Sequence, residues 1–247
     1  MSTPNASQPL PAKQVFGAPV AHEHLVVVLA HPDDEAFGTA GTLAMHRAAG
    51  VPATFVCATY GDMGRNHGQP FFANRETLRD VRERELQNAA DALDIELVLL
   101  GHRDKTLEFE DAGSVADRIA HELMQRKADV VISFYPGRGV HPDHDAIGEA
   151  TYAAVHRFDE NNRPKLWAIT VTDREETEAA LGAPDVEMNV AAYRHLKRAA
   201  LEAHASQTKA MFDRIARDDP ADAHLKERLE RGERAERFYD LTFAAPR

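Results

Sequence analysis

Cys57 is the single cysteine among 247 residues. It sits inside the apolar run 53–58 and reads as a small buried hydrophobe. One thiol excludes both an internal disulfide framework and a cysteine zinc cluster. Long apolar runs are also missing, and none approaches the roughly 18 residues of a membrane-spanning helix. The first 20 residues lack the basic start and apolar stretch of a signal peptide. They read as a flexible, polar, proline-containing tail ahead of a single domain over 21–247, and the chain reads as cytoplasmic. Positive charge is in deficit: 29 Lys and Arg face 40 Asp and Glu, a net charge of −11. That argues against nucleic acid or an anionic membrane as the partner. An anionic ligand would need a local basic cluster. No G-x-G-x-x-G follows the first apolar run, where residues 30–35 read AHPDDE, so a dinucleotide-dependent oxidoreductase is disfavoured.

What is present is the composition of an ordinary globular protein, 43% hydrophobic and 28% charged. Apolar runs at 24–30, 53–59, 96–100, 129–135 and 165–171 alternate with amphipathic stretches at 35–49, 75–93, 114–127 and 143–157. This β-α-β-α alternation predicts a Rossmann-like, doubly wound, mostly parallel sheet with helices on both faces. Residues 60–74, rich in Gly, Asn and Pro, read as a long loop. From 189 onward the pattern is helical and charged, before an irregular end.

Two short constellations carry chemistry. His31-Pro32-Asp33-Asp34-Glu35 places an imidazole and three carboxylates after the first strand. Such clustered acids repel one another, and a divalent cation relieves the repulsion. A helix N-terminus would also attract one or two acids, but it does not account for His31. His141-Pro142-Asp143-His144-Asp145 repeats the His-Pro-Asp turn after the fourth strand. With a strand order of 3-2-1-4-5, strands one and four are neighbours at the reversal point where doubly wound sheets bind ligands. Both turns then meet in one crevice, from positions 110 residues apart (141 − 31). Two histidines and a carboxylate with an open position suit a catalytic zinc ion. They would also suit a non-haem iron oxygenase.

The paired AHPDDE and HPDH motifs resemble the signatures of the LmbE/PIG-L-like N-acetylglucosaminyl deacetylases. Longer segments, GDMGRNHGQPFFANRETLRDVRERE, GHRDKTLEFE, VVISFYPGRGVHPDHDAIGEA and LEAHASQ, look like the second type of bacillithiol-pathway deacetylase, which removes acetate from N-acetylglucosaminyl-malate. The likeness spans about 25–207. It implies His31, Asp34 and His144 as ligands of Zn2+, or of another divalent metal such as Fe2+ in the cell. Asp33 is implied as the general base. His141 is implied to stabilise the oxyanion and protonate the leaving amine, with Asp143 hydrogen-bonded to it. Arg82, in an R-x-x-E with Glu85, and Asp104 are implied to contact the sugar. Arg65, Arg75 and Arg138 are candidates for holding a malate carboxylate.

His204 also matches the family pattern and reads as a packing or supporting residue; His22, His46, His67, His121, His156, His195 and His224 read as surface groups. Several relatives carry Arg or Tyr just before the second motif, where this chain has Gly139 and Val140. The resemblance thus implies a homo-oligomeric amidohydrolase acting on a small-molecule sugar conjugate, without nucleic acid or membrane. Alternatives are a deacetylase for an inositol-linked or oligosaccharide conjugate, an iron oxygenase, or a catalytically silent sugar-binding protein.

Overall fold

A computed structural model describes residues 10–247. Eight strands form one sheet: β1 (Gln14–Phe16), β2 (Leu25–Leu29), β3 (Ala53–Thr59), β4 (Glu96–His102), β5 (Val130–Phe134), β6 (Lys165–Ile169), β7 (Val186–Asn189) and β8 (Ala235–Asp240), in the order β1-β7-β8-β6-β5-β2-β3-β4. The five strands expected from the apolar runs occupy β4-β3-β2-β5-β6, all parallel, which is the 3-2-1-4-5 order. β2, β3 and β5 are buried along their whole length. Central parallel strands are covered on both faces, so they read as near-continuous apolar runs rather than alternating ones.

Nine helices complete the described residues: α1 (Asp34–Gly38), α2 (Ala40–Ala48), α3 (Leu78–Leu93), α4 (Ala112–Arg126), α5 (Pro142–Val155), α6 (Arg174–Leu181), α7 (Arg194–Ala203), α8 (Ala205–Ala216) and α9 (Ala223–Arg234). Right-handed crossovers step one way from β2 through β3 to β4 and the other way from β5 to β6. That reversal puts their helices on opposite faces. α4 packs on α5, whereas α7 packs against α1, α2 and α3. No described helix is long and apolar enough to cross a membrane.

Four features depart from the sequence reading. The helix expected over 35–49 is broken at Thr39 (φ −141°) into α1 and α2. The buried Glu236 carboxylate accepts the Gly41 and Thr42 amides at 2.9 and 2.8 Å, so the N–H groups of a fresh helix start are satisfied. The expected irregular end instead contains β8, inserted antiparallel between β6 and β7. Its buried Glu236 pairs with the equally buried Lys197 at 2.5 Å, so the strand shows no apolar run. Residues 14–16, inside the stretch expected to be a flexible tail, form β1 against β7, and Phe16 stacks on Trp167 at 6.3 Å. Finally, His46 is buried rather than on the surface. Its Nδ1 donates to Thr42 O at 2.7 Å, and its Nε2 accepts the Val20 and Ala21 amides at 3.1 and 3.2 Å. His22, His121, His195 and His224 are exposed as expected.

Candidate active site

β2 and β5 are hydrogen-bonded neighbours, and the sheet reverses direction between them. The turn after each strand carries one His-Pro-Asp, and the two turns meet. The His31 amide donates to Asp34 Oδ2 at 2.7 Å, which bends the chain into α1. His31 Nδ1 and His144 Nε2 face each other at 3.1 Å. Each lies 3.5 Å from a carboxylate oxygen of Asp34. The partners of the far ring nitrogens decide which atoms carry hydrogen. His144 Nδ1 donates to Gly139 O at 2.9 Å, which leaves Nε2 as a lone pair. His31 Nε2 lies 3.2 Å from both Asp104 Oδ1 and Asp143 Oδ2, which hold a hydrogen there, so with a cation at the cluster Nδ1 would supply the second lone pair.

Two lone pairs and a carboxylate aimed at one point repel unless a cation sits among them. Tetrahedral zinc with bonds near 2.0–2.1 Å would separate nitrogen donors by about 3.3 Å. The residues present fit such an ion. Carboxylates behind a ligating histidine are the usual second layer of such sites. His141 joins the group: its ring meets that of His31 edge-on at 4.8 Å, and His31, His141 and His144 could together hold a metal ion.

Local sequence explains the placement. Pro142 opens α5 directly after the N-cap His141, whose Nδ1 accepts the Asp143 amide at 3.1 Å. The His144 ring stacks on Phe134, the last residue of β5, at 4.0 Å and 6°. A side chain at 139 would strike His144 Cβ. Gly139 is therefore demanded by the His144 side chain beside it, and no arginine or tyrosine fits at that position.

Asp33 stands next to this group in a conformation few residues adopt, φ 108°. Two contacts hold it. Its amide donates to Glu35 Oε2 at 3.1 Å, and Glu35 Oε1 meets His204 Nε2 at 2.6 Å, with both side chains buried. Its carboxylate accepts from Arg82 Nη2 at 3.1 Å. Burial pushes Asp33 up to about 6, against the pull of Arg82. Burial also acts on Asp34, but His144 and His31 outweigh it and hold that carboxyl at about 2. Two adjacent acids are thus driven apart in acidity by their surroundings. His141 is lowered by burial, and by the charges of His31 and His144.

These contacts place several of the residues with implied roles. The Asp143 carboxylate lies on His31 Nε2 and accepts the Lys105 and Leu107 amides at 2.7 and 3.1 Å, and its backbone N–H reaches the His141 side chain. Asp104 is buried behind His31 and accepts the Met63 amide at 3.0 Å. Arg82 is buried, donating to Asp33, to Gly61 O at 3.0 Å and to Pro32 O. A side chain at Gly61 would overlap its guanidinium. Glu85 binds the Ser206 amide and hydroxyl at 2.7 and 2.6 Å.

Arg138 lies 3.8 Å from Glu176, and Arg65 is exposed with no hydrogen bond or ion pair to its guanidinium among the described residues. The sequence reading assigned no role to Glu35; its place in the acidic run was the only signal. Met63, Arg103 and Lys105 lie in segments that carry the likeness, but were assigned no role.

Fold and site define a Rossmann-like α/β protein with a candidate metal group at the carboxyl edge of its sheet. A family profile described as PIG-L: GlcNAc-PI de-N-acetylase matches residues 26–155, and the chain belongs to that family. It is 47% identical over 192 residues to a Bacillus subtilis (strain 168) protein named Probable N-acetyl-alpha-D-glucosaminyl L-malate deacetylase 2, covering 77% of this chain and 86% of that one. It is 29% identical over 240 residues to the 1D-myo-inositol 2-acetamido-2-deoxy-alpha-D-glucopyranoside deacetylase of Corynebacterium glutamicum (strain R), with 81% and 80% covered. The fold is shared with the N,N'-diacetylchitobiose deacetylase of Pyrococcus horikoshii, at a TM-score of 0.68 and 19% identity over 90% of this chain and 85% of that one.

Proposed function

We propose that the protein is a zinc-dependent deacetylase that hydrolyses the acetamide of an N-acetylglucosaminyl conjugate, with the L-malate conjugate as substrate. One observation carries the reading. The lone pairs of His31 Nδ1 and His144 Nε2 converge with the Asp34 carboxylate, directly beside a second carboxylate that is not needed to hold a metal. An oxygenase triad has no task for that extra acid; amide hydrolysis does. The relative named as the malate deacetylase supports the choice of aglycone.

In this reading His31, Asp34 and His144 hold the metal, which would supply Lewis acidity to the acetyl carbonyl and to water. Asp33, raised to about 6, accepts the proton that water gives up as it attacks; a base near the working pH is the effective one. Arg82 holds the receiving carboxylate, and Glu35 with His204 fixes the backbone beneath it. His141 Nδ1 accepts the Asp143 amide, so the neutral ring carries its hydrogen on Nε2 and donates a hydrogen bond from there to the oxyanion. The proton taken up by Asp33 passes to the sugar nitrogen as the C–N bond breaks, and acetate and the free amine result. Asp104 and Asp143 keep the His31 proton on Nε2. We place the enzyme in the cytoplasm, as a homo-oligomer.

The test is acetate release from N-acetylglucosaminyl-malate and from free N-acetylglucosamine, using metal-free protein before and after zinc is restored. Zinc-dependent release that favours the conjugate is expected. Absence of release with any restored metal would overturn the deacetylase reading.

A further inference from the structure

We infer that Arg75, Arg103 and Lys105, gathered around Met63, form an anion-binding rim that takes a carboxylate-bearing aglycone. The inference rests on the deacetylase reading. Met63 lies in the loop between β3 and α3 and is joined to the candidate metal group by two short paths. Its amide donates to Asp104 Oδ2 at 3.0 Å, and Asp104 touches His31. Its carbonyl accepts Lys105 Nζ at 2.8 Å. The Lys105 amide in turn donates to Asp143 Oδ2 at 2.7 Å, which holds Lys105 at a left-handed φ of 64°. The ammonium is therefore fixed to the site through the backbone at both ends.

The Met63 thioether is approached by two guanidinium groups, Arg75 Nη1 at 3.4 Å and Arg103 Nη2 at 3.5 Å. A thioether is a weak, uncharged acceptor, so it does nothing to offset two like charges brought together. Among the described residues, one carboxylate is ion-paired to any of the three cations. It is Asp62, whose Oδ2 lies 3.6 Å from Arg103 Nε and whose Oδ1 accepts the Asp104 amide at 3.0 Å. Three cations facing one acid leave local positive charge on a chain of net charge −11. Arg75 and Arg103 are exposed, so their donors are open to a ligand. Guanidinium forks pair with carboxylates through two parallel hydrogen bonds. A dicarboxylate joined to the sugar would give each arginine a partner while the acetamide lies at the metal group. Arg138 and Arg65, outside this group, are not part of the rim.

The experiment uses the full-length, zinc-loaded protein and two substrates, N-acetylglucosaminyl-malate and the neutral methyl glycoside of N-acetylglucosamine. In the double variant Arg75→Gln/Arg103→Gln, the ratio of kcat/KM for the malate conjugate over the methyl glycoside should fall about tenfold, mostly through KM. Free malate should inhibit the wild type competitively and the variant much less. Arg75→Lys/Arg103→Lys, which keeps the charge but loses the fork, should recover part of the ratio. Should the double variant fail to fold, each single Gln variant carries the same test, with an expected fall of about threefold. An unchanged ratio, or an equal loss on both substrates, would overturn the rim. Wild type that cleaves both substrates equally well would overturn it while sparing the deacetylase reading. Wild type that cleaves neither would sink both.

Discussion

At the scale of single residues, the decisive relation is between neighbours in sequence that have opposite tasks. Asp33 and Asp34 are chemically identical, yet one is raised to about 6 and the other held at about 2. The difference comes from what faces each: Arg82 and a buried surround for Asp33, two imidazoles for Asp34. Asp33→Ala should therefore cut acetate release by about 10²–10⁴-fold while metal content stays near that of the wild type. His144→Ala should lower both, and elemental analysis beside an acetate assay separates the two outcomes. The proposed mechanism uses the ionised form of Asp33, so kcat/KM on a neutral substrate should decline as pH falls through about 6. Arg82 pulls that carboxyl down, and Arg82→Met should move the decline to higher pH. A pH–rate profile of both proteins checks the direction. His31, Asp34 and His144, which the structure brings together, were legible as residue types in a recurring pattern. The placement of Arg82 was not, because a charged helix gives no sign of which arginine turns inward beneath a loop glycine.

At the scale of elements, the alternation of apolar runs and amphipathic stretches was enough to order five strands, because buried parallel strands advertise themselves by composition. β8 was invisible for the opposite reason: Ala235–Asp240 reads AERFYD, and its buried glutamate is tolerable only because Lys197 lies across from it. The break between α1 and α2 has the same origin, since the capping carboxylate comes from 195 residues away. His46 shows how an element can hold a distant segment. Burial lowers its pKa below 6.5, so the folded state resists a proton that the unfolded chain accepts. Stability from this group is complete above that value and is lost as pH falls below it. Its protonated ring could no longer accept from Val20 and Ala21. Hydrogen exchange of those two amides should accelerate on acidification, relative to amides of β2, and should respond less to pH in a His46→Gln variant.

At the scale of the whole molecule, the Lys197–Glu236 pair joins α7, β8 and the start of α2, with both side chains 2% exposed. Removing one member leaves an uncompensated buried charge. Lys197→Met should cost about 3–5 kcal/mol, read as a lower denaturation midpoint. Lys197→Met/Glu236→Gln should recover part of the loss, because the glutamine keeps an acceptor for α2 and carries no charge. The two variants together separate the cost of the unpaired charge from the value of the helix cap.

The insertion of β8 also sets a timetable for the growing chain. β7 pairs with β1 on one side and β8 on the other, and β8 alone links that pair to β6. While the ribosome is still upstream of residue 235, the central strands can assemble and bring both His-Pro-Asp turns together, but β1 and β7 lack the strand that hydrogen-bonds their pair to β6. At roughly 5–20 residues per second, the wait between the synthesis of β1 and that of β8 is on the order of 10–40 s. The half of the sheet that carries both His-Pro-Asp turns is therefore able to form during translation, whereas the flank carrying residues 14–16 is joined to the sheet by hydrogen bonds only once β8 arrives from the other end of the chain.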